Sequence, residues 1–519
     1  MAWTFPPDFL FPLSGADWAP AGDTAQHVIA QRYFLRDAWR WPPLVAMNLN
    51  TPEGLNIAFA DGIPLLALPL KVVAAWLPEG FHGIGLWYAI ACLLQPVAAV
   101  WALRGAGERR LLPAIGVALA AVSMPAWLGR YGHAALTGHF VLLFSLGLYL
   151  RLVAGARLWP VAVAASVAML LVHPYLMAMG VALLAAVPLT LLLRGDRRWP
   201  RAAGGFIACV ASVVLVMAGF GYFGAAGDGG YGQFAMNLLS PVWPYRSGLL
   251  PGLVTAEVDA TGHGGWEGFN WLGFGLLAGL AAVAWLGWPG MVRRHVGLAL
   301  AMLGLTALAV SQRVGFGSAI LLDLGQAPAV LEQFRASGRF FWPVAYVLLI
   351  ATAVLLGRWR PWLVLAMGLL QFADAIPMRA ALQQWVSQRP AWALEAAPLR
   401  ALFATHDRLT LFPSWACIPH DAGEAFVLEH QALALASESA IPVNTMQVAR
   451  WRVPPVCRDA ALAATLLVPG ELRLFLPEAA TLAPPGCAPV GQALACSLGA
   501  TPRSADAVPP DTAGGSSSR

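Results

Sequence analysis

Residues 81–103 read FHGIGLWYAIACLLQPVAAVWAL and contain no aspartate, glutamate, lysine or arginine. About 20 consecutive apolar residues, wound into an α-helix, cross the ~30 Å hydrocarbon core of a bilayer. Only helices and closed barrels satisfy their backbone hydrogen bonds inside lipid, and an unbroken apolar run of this length is typical of a helix. The stretch therefore predicts a transmembrane helix and places the chain among the α-helical polytopic membrane proteins.

The rest of the chain repeats this pattern. Hydrophobic residues make up 58% of the 519 residues and charged residues only 11%, whereas soluble domains average about 25% charged residues. We expect ten transmembrane helices, or eleven if residues 62–78, which carry Lys71, cross the bilayer rather than lie along its surface. The other apolar runs lie at 111–128, 139–150, 158–172, 176–193, 203–222, 269–288, 296–312, 340–357 and 361–376.

Arginine placement predicts the orientation. The net charge is +5, but the arginines form short clusters between apolar runs rather than one stripe, which argues against nucleic acid as a partner. Because cytoplasmic loops are enriched in arginine, the N-terminal segment, the loop at 223–268 and the tail after 376 are expected on the outer face. The arginines in the predicted cytoplasmic connections are Arg104, Arg109, Arg110, Arg151, Arg157, Arg194, Arg197, Arg198, Arg201, Arg293, Arg294, Arg358 and Arg360. Those in the predicted outward connections are Arg130, Arg246, Arg313, Arg335 and Arg339.

Composition divides the chain into four segments. No cleavable signal peptide is visible, and no apolar run of spanning length precedes Pro20. Either a first helix precedes this start, or the N-terminus is carried outward by the next helix. The segments are an outward acidic loop with interfacial helices at 1–80, a transmembrane helical domain at 81–376, a soluble α/β domain at 377–502 and a disordered tail at 503–519.

The soluble domain is expected to be a small α/β module. Its predicted elements are strands at 408–412 and 471–476 and helices at 424–436 and 458–467. An oxidising outer compartment permits disulfides there, and short spacing favours a bond between Cys487 and Cys496, with free thiols as the alternative. Four of the six cysteines lie in this domain: Cys417, Cys457, Cys487 and Cys496.

Polar residues near the membrane surface are the candidates for function, because ionisable groups are costly in and near lipid. In a predicted helix from Gly22 to Trp39, the residues Asp23, Gln26 and His27 share one face through three- and four-residue spacing. A carboxylate and an imidazole on that face would converge on one ligand. Alternatively, Asp23 caps the helix.

Two further clusters lie at predicted outward boundaries. Asp61 immediately precedes the apolar segment that contains Lys71, and we expect it either to bind a ligand or to cap a helix. Arg130, His133 and His139 lie between two predicted spans. The spacing of these two histidines fits neither a helical metal pair nor a usual zinc framework, so it is weak support for a metal.

A fourth cluster, Arg335, Ser337 and Arg339, precedes an aromatic-rich span. Guanidinium groups suit phosphate because they are planar, permanently charged and carry several donors. Alternatively, Arg339 anchors the span by reaching lipid headgroups. The chain has no GxxxxGK[ST], HExxH or CxxC motif and no GxSxG in a strand-turn-helix context, so nucleotide hydrolysis, zincin and serine hydrolase activities lack support.

Taken together, these stretches resemble a bacterial family of multi-pass membrane proteins grouped with the GT-C glycosyltransferase superfamily. The resemblance implies a GT-C-like fold and, as in protein mannosyltransferases and aminoarabinose transferases, sugar transfer from a polyprenyl-phosphate-linked donor to an envelope glycan, lipid or protein acceptor. It also implies the outer face of the bacterial inner membrane, with the soluble domain in the periplasm. The residues that carry the resemblance are Gly22–Trp39, Asp61–Ala67, Lys71, Gly85–Trp87, Gly132–His133, Gly138–His139, Ser337–Phe340, Pro442–Asn444 and the Cys487/Cys496 pair.

The resemblance further implies roles for single residues. Asp23 occupies the place of the acidic residue that serves as catalytic base or orients the acceptor. Asp61 is the second carboxylate, which assists or, with Asp23, binds a divalent metal such as Mg²⁺ or Mn²⁺. Arg339 would contact the departing phosphate, with His133 or His139 as a secondary contact, since sugar displacement needs a base and positive charge. The missing first helix departs from the family pattern.

Two other functions are compatible with the sequence: a lipid or solute transporter, and a non-catalytic scaffold of envelope polysaccharide assembly. Transporters commonly show repeated halves. No repeat is evident here, and the polar clusters all lie on one predicted face, which favours the enzyme. Beside the predicted catalytic pair, Asp23 and Asp61, the predicted substrate-binding set is Gln26, His27, Lys71, Arg130, His133, His139, Arg335, Ser337 and Arg339.

Overall fold

The structure, a computed structural model, describes residues 7–10, 22–262, 266–286, 293–388, 390–419 and 421–498. The tail expected to be disordered, at 503–519, lies outside the described residues. The chain is mostly helical. Its α-helices of five residues or more are α1 (Gly22–Arg36), α2 (Pro64–Val72), α3 (Ile84–Gly105), α4 (Leu111–Ala121), α5 (Phe140–Val153), α6 (Trp159–Val172), α7 (Pro174–Leu193), α8 (Trp199–Phe220), α9 (Phe274–Leu286), α10 (Val296–Val310), α11 (Trp342–Trp359), α12 (Pro361–Asp374), α13 (Ile376–Ser387), α14 (Ala396–Thr405), α15 (Gly423–Ser439) and α16 (Asp459–Ala463).

Several of these helices are membrane-spanning by length and composition. Within the described residues, five segments are long and apolar enough to cross a bilayer, and the pair α12 and α13, bent by 48°, makes a sixth if it is one span. Helices α4, α6, α9 and α10 are apolar but shorter. The protein is therefore a multi-pass helical membrane protein, while the number of ten or eleven crossings and the orientation stay predictions. The five segments are Ile84–Gly105, Ala134–Val153, Pro174–Leu193, Trp199–Phe220 and Ser337–Trp359.

The predicted run at 111–128 differs from the structure, which breaks it into α4 and a separate turn, Pro125–Leu128. The break has a local cause. A proline inside a helix lacks the N–H donor and clashes with the carbonyl four residues earlier, which for Pro125 is that of Ala121. Helix α4 accordingly ends at Ala121, and Pro125 starts the next turn.

Glycines let α4 and α12 approach closely. A Cβ atom on Gly116 would lie 2.2 Å from the carbonyl oxygen of Val364, and one on Gly368 would lie 2.2 Å from the carbonyl oxygen of Gly116. Membrane helices associate through such close backbone packing, because lipid removes the hydrophobic driving force between them. A side chain at either glycine would force the two helices apart.

The N-terminal segment joins the membrane helices to the soluble domain. The hydroxyl of Tyr33 on α1 donates to the carbonyl of Ile441 at 2.8 Å. In the loop after α1, Thr51 donates to the carbonyl of Val443, and Val443 donates back to that of Asn48. Apolar residues of α1, this loop and the soluble domain form one buried core. Residues from both ends of the chain therefore build a single cap on the membrane helices.

The soluble domain contains a four-stranded sheet. Its strands lie in the order β5 (Arg408–Phe412), β6 (Glu471–Phe475), β8 (Ala493–Cys496) and β7 (Ala488–Val490). Strands β5 and β6 are parallel, and the other two pairs are antiparallel. Disulfides join Cys417 to Cys457, a pair that spacing alone did not single out, and Cys487 to Cys496. The strands of the protein are β1 (Val45–Ala46), β2 (Leu55–Asn56), β3 (Arg313–Phe316), β4 (Ala319–Asp323), β5 (Arg408–Phe412), β6 (Glu471–Phe475), β7 (Ala488–Val490) and β8 (Ala493–Cys496).

The helix expected at 458–467 is shorter than predicted, because α16 ends at Ala463. The guanidinium of Arg473 donates to the carbonyls of Ala463, Thr465 and Leu466. These carbonyls are satisfied by a side chain instead of by further helical turns. A tertiary contact therefore ends the helix where the sequence pattern would continue it.

Candidate functional site

Asp61 lies in a tight turn between a 3-10 helix, Ile57–Ala60, and α2. Asp61 and Ile63 have positive φ angles of 51° and 52°, a conformation that costs on the order of 1–3 kcal/mol in residues other than glycine. The surrounding structure holds the turn in place, since Gln31 donates from Nε2 to the carbonyl of Gly62 at 2.9 Å. The fold thus fixes the direction of the Asp61 carboxylate at a strained turn.

Two histidines meet this carboxylate. Nε2 of His133 lies 3.4 Å from one oxygen of Asp61, and Nε2 of His173 lies 3.2 Å from the other. His173 caps the N-terminus of α7, where its Nδ1 accepts from the N–H of Tyr175 at 3.1 Å. The proton of the neutral imidazole is then on Nε2, which donates it to Asp61. The N-terminal end of α7 also favours the negative charge.

A third histidine, His27 on α1, is fully buried beside them, with its ring centroid 5.0 Å from that of His133. Its Nδ1 accepts from the N–H of Ala134 at 3.3 Å. Nε2 of His27 and Nδ1 of His133 are buried and have no hydrogen-bond partner among the described residues. Buried polar atoms are normally bonded, so these two nitrogens indicate a place for a ligand or an ion.

The cluster has the composition of a metal site. His27, Asp61 and His133 each offer a ligating atom, and these atoms lie within 4.8 Å of one another. Two imidazoles with a carboxylate suit a first-row transition ion, whereas Mg²⁺ prefers oxygen ligands. The residues fit Mn²⁺ better than Mg²⁺, and Asp23 is not part of the group. A metal bound to Nε2 of His27 requires that nitrogen to be unprotonated. The proton would then be on Nδ1, which could no longer accept a hydrogen bond from the N–H of Ala134.

The charge state of the cluster follows from burial and hydrogen bonding. Burial raises the pKa of Asp61, but His133, His173 and His27 outweigh it and hold that pKa below its ordinary value. Burial lowers the pKa of His27 to about 4 and holds the pKa of His133 well below its usual range. At neutral pH the cluster is therefore an ionised carboxylate beside neutral imidazoles.

Asp23 lies in the first turn of α1 and is exposed. Desolvation there, followed by the negative charges of Asp61 and Glu267, raises the pKa of Asp23 to about 6, against the opposing effect of Arg339 and His430. Electrostatic effects of this kind require proximity. The Asp23 carboxylate is therefore within electrostatic range of Asp61, Glu267 and Arg339.

Arg339 belongs to a buried ion-pair triad. Nη1 of Arg130 lies 2.6 Å from one carboxylate oxygen of Glu267, and Nε and Nη2 of Arg339 lie 3.2 and 3.1 Å from the same oxygen. The guanidinium of Arg339 also stacks 5.0 Å from the ring of Tyr175. Two positive charges thus meet one negative charge, and the triad keeps an excess positive charge beside Asp61.

The soluble domain adds another arginine to this surface. The charges that act on Arg450 include those of Arg335, Asp61 and Asp228, all from the first 376 residues. Arg335 is exposed, and its guanidinium lies 5.5 Å from the ring of Phe234. Positive charge from both parts of the chain therefore lies within electrostatic range of Asp61.

The soluble domain also places titratable groups near Asp23. The charge of His430 on α15 acts on Asp23, and the Nε2 atom of His430 is buried without a hydrogen-bond partner in the described chain. Its neighbour Glu429 is fully buried, and burial raises the pKa of Glu429 to about 7. The soluble domain thus places titratable groups within electrostatic range of Asp23.

Two predicted binding residues on the N-terminal segment lie apart from Asp61. Gln26 donates from Nε2 to the carbonyl of Gln447 at 3.0 Å, so it binds the soluble domain instead of sharing a ligand with Asp23. The ammonium of Lys71 lies 4.0 Å from the ring centroid of Phe34, at the far end of α1. The structure therefore gives both side chains protein partners.

Two more predicted residues lie in the helical core. His139 is fully buried, with its ring 4.2 Å from that of Trp342 and Nδ1 2.8 Å from the hydroxyl of Tyr346. Ser337 is also fully buried and donates to the carbonyl of Ala309 at 3.4 Å. Neither side chain lines the cavity around Asp61.

Sequence reasoning missed His173, Glu267 and Arg450. His173 occupies the short connection between two apolar runs on the predicted outward side, so the same topology argument that selected His133 would have found it. Glu267 and Arg450 lie in long polar stretches without a motif. Only the tertiary contacts distinguish them from neighbouring charged residues.

The chain belongs to the DUF6311 family, described as a domain of unknown function, whose model matches residues 1–376, and the DUF6311 C-terminal domain model matches residues 398–498. No curated protein shows significant sequence similarity to the chain. Among solved structures, it is similar to the archaeal oligosaccharyltransferase AglB from Archaeoglobus fulgidus, in complex with an inhibitory peptide and a dolichol-phosphate. The identity is 13% and the TM-score 0.45, covering 83% of this chain and 61% of that chain. The chain thus spans about three fifths of that protein, and its function has to be argued from its own side chains.

Proposed function

We propose that this protein is a membrane glycosyltransferase of the GT-C class, which transfers a sugar from a polyprenyl-phosphate-linked donor to an envelope acceptor at the outer face of the bacterial inner membrane. The observation that carries the proposal is the Asp61 carboxylate held by His133 and His173, with Asp23 and Arg339 within electrostatic range of it. A base, an anchored carboxylate and a guanidinium beside lipid are the groups that displacement of a phosphate from a sugar requires.

Asp23 is the proposed general base. Its side chain is exposed, and a pKa of about 6 makes it a stronger base than an ordinary aspartate while leaving it mostly ionised at neutral pH. The acceptor oxygen forms a bond to the anomeric carbon of the sugar as the bond from that carbon to the phosphate oxygen breaks. The electron pair leaves with the phosphate, and the acceptor proton passes to Asp23.

Asp61 is the proposed anchor of the site. His173 and His133 hold its two oxygens, which fixes the wall of the cavity against which the donor lies. A divalent transition-metal ion would be held by His27, Asp61 and His133, and it would supply positive charge near the phosphate. These three side chains therefore prepare the site for an anionic donor.

Arg339 is the proposed phosphate contact. Glu267 engages its Nε and Nη2 atoms, and within the described chain Nη1 has no acceptor. A guanidinium held on one side presents its remaining donors in a fixed direction, which suits a phosphate oxygen. Arg450 adds positive charge from the soluble domain on the same side of the site.

The test is transfer of a labelled sugar from a polyprenyl phosphate into extracted envelope material by the full-length protein in membrane vesicles. We expect transfer by the parent protein and a loss of at least ~100-fold in Asp61→Asn, with Glu53→Gln, an exposed loop carboxylate, as the matched control. Donor binding is measured separately by retention of the labelled lipid on purified protein.

Other outcomes would overturn the proposal. Label that crosses the vesicle membrane without entering envelope material would identify a transporter. Donor retention that is unchanged in Arg339→Ala, together with an absence of transfer in every preparation, would leave the protein as a scaffold.

A further inference from the structure

A large cavity lies at the opposite end of the membrane helices from Asp61. Its volume is about 850 Å³, and its walls are mainly apolar side chains of α5, α10 and α11. Along α11 the lining extends from Val344 to Arg358, which is roughly 21 Å at 1.5 Å per residue. One leaflet of the hydrocarbon core measures about 15 Å. The cavity is therefore long enough to hold the chain of a membrane lipid.

Arginines gather at one end of this cavity. Arg194 follows the last turn of α7, Arg358 lies in the last turn of α11, and Arg294 precedes α10. The lining contains no aspartate or glutamate, and none of the three arginines forms an ion pair in the described part of the chain. The mouth of an apolar cavity thus carries an excess of positive charge.

The position of these charges identifies the kind of lipid. A lipid-linked sugar must present its phosphate to Asp23 and Arg339, and Arg339 lies at the start of the segment Ser337–Trp359, whose other end carries Arg358. A phosphate held by Arg358 is therefore a membrane thickness away from Asp23. A lipid with its phosphate at Arg358 would therefore be distinct from the sugar donor of the proposed reaction.

We infer that the cavity binds an anionic phospholipid, with its phosphate at Arg194, Arg294 and Arg358 and an acyl chain along α10 and α11. Basic pockets between membrane helices recognise anionic headgroups by this combination of charge and apolar depth. The binding of an anionic lipid depends only on the membrane location of the helices, whereas the exclusion of the sugar donor as the occupant rests on the proposed function.

The test uses full-length protein in micelles that contain equal amounts of phosphatidylglycerol and phosphatidylethanolamine, with bound lipid counted by native mass spectrometry. The two phospholipids have different headgroup charges, so we expect phosphatidylglycerol to be retained in preference. Each arginine contributes about fivefold in affinity, so replacing Arg194, Arg294 and Arg358 with glutamine should weaken phosphatidylglycerol binding on the order of 100-fold.

The matched control replaces three exposed arginines outside the lining, Arg109→Gln, Arg157→Gln and Arg197→Gln, and should retain phosphatidylglycerol within about twofold. Ala351→Trp fills the apolar part of the cavity without changing charge and should also expel the lipid. If the triple variant does not fold, Arg358→Lys and Arg358→Gln separate charge from folding, since only the lysine variant should bind.

Three results would overturn the inference. The first is equal retention of the two phospholipids, and the second is unchanged binding in the arginine variants. The third is a polyprenyl phosphate bound in place of phosphatidylglycerol and lost on Arg358→Gln, which would make the cavity part of the donor site.

Discussion

Nε2 of His173 lies 3.2 Å from Oδ1 of Asp61, which joins the N-terminal segment to the first turn of α7. The contact places a carboxylate where the helix dipole and an N–H donor both stabilise its charge. Because His173 is itself held by the N–H of Tyr175, the carboxylate cannot turn without breaking two contacts. The membrane helices therefore orient a group that belongs to the cap.

The turn at Asp61 predicts different effects for three substitutions. Asp61→Asn tolerates the positive φ but loses the charge that His133 and His173 stabilise, so we expect sugar transfer to fall at least ~100-fold and Tm to fall as well. Asp61→Ala loses both the charge and this tolerance, whereas Asp61→Gly adopts positive φ freely. Thermal unfolding should place the glycine variant above the alanine variant by about 1 kcal/mol. Equal Tm values for the two would show that the turn is not strained.

Glu267 predicts a stability effect that depends on pH. Glu267→Gln leaves Arg130 and Arg339 buried without a counter-charge, and breaking a buried ion pair costs about 3–5 kcal/mol. Burial acts to raise the pKa of Glu267, but Arg130 and then Arg339 lower it to about 2, from an ordinary 4.5. Its contribution to stability is therefore complete above pH 4.5 and is lost as the pH falls toward 2.

Tm measured between pH 2.5 and 7 checks this effect. The parent protein should lose stability as the pH falls through this range, and Glu267→Gln should lose less because it lacks the titrating group. Glu53→Gln serves as the control with parent behaviour. Parallel pH curves for the parent and Glu267→Gln would contradict the role of the triad in stability.

The helices were largely predictable because an apolar run is a local property of the chain. The predicted strand at 408–412 coincides with β5, and the run at 176–193 lies within two residues of α7. The predictions failed where a distant side chain ends an element. Arg473 ends α16 through carbonyls that no local pattern marks.

The site was less predictable, because helical spacing does not fix the direction of a side chain relative to other segments. His27 and Gln26 are adjacent, yet His27 faces Asp61 while Gln26 binds the backbone at Gln447. Lys71 follows Asp61 closely in sequence, but α2 carries it away to Phe34. Such directions depend on the packing of α1 against the soluble domain.

The disulfides predict the compartment of the soluble domain. If that domain is periplasmic, mass spectrometry of non-reduced peptides from the native envelope should find Cys417 linked to Cys457 and Cys487 linked to Cys496, since an oxidising compartment maintains such bonds. Cys92, in α3, should react as a free thiol once the protein is unfolded in detergent. Free thiols at Cys487 and Cys496 would count against the outward orientation.

The effect of Asp23 on folding stability should change with pH in the opposite direction to that of Glu267. The pKa of Asp23 is raised from 3.8 to about 6, so the folded protein binds this proton more tightly than the unfolded chain. Stability contributed by the protonated form is therefore lost as the pH rises from about 4 to 6. Asp23→Asn avoids that loss and should exceed the parent in Tm at pH 7.5 but not at pH 4. A lower Tm for the variant at both pH values would contradict a raised pKa for Asp23.

The same substitution tests the chemistry directly. An asparagine keeps the size of Asp23 but cannot accept a proton, and losing a general base costs on the order of 100-fold to 10,000-fold in rate. The parent rate should rise with pH through about 6 as Asp23 ionises, and this rise should be absent in Asp23→Asn while donor retention stays at the parent level. Arg339→Ala should behave differently and weaken donor retention, because it removes a phosphate contact. Sugar transfer by Asp23→Asn at the parent rate, with the same pH dependence, would remove Asp23 from the mechanism.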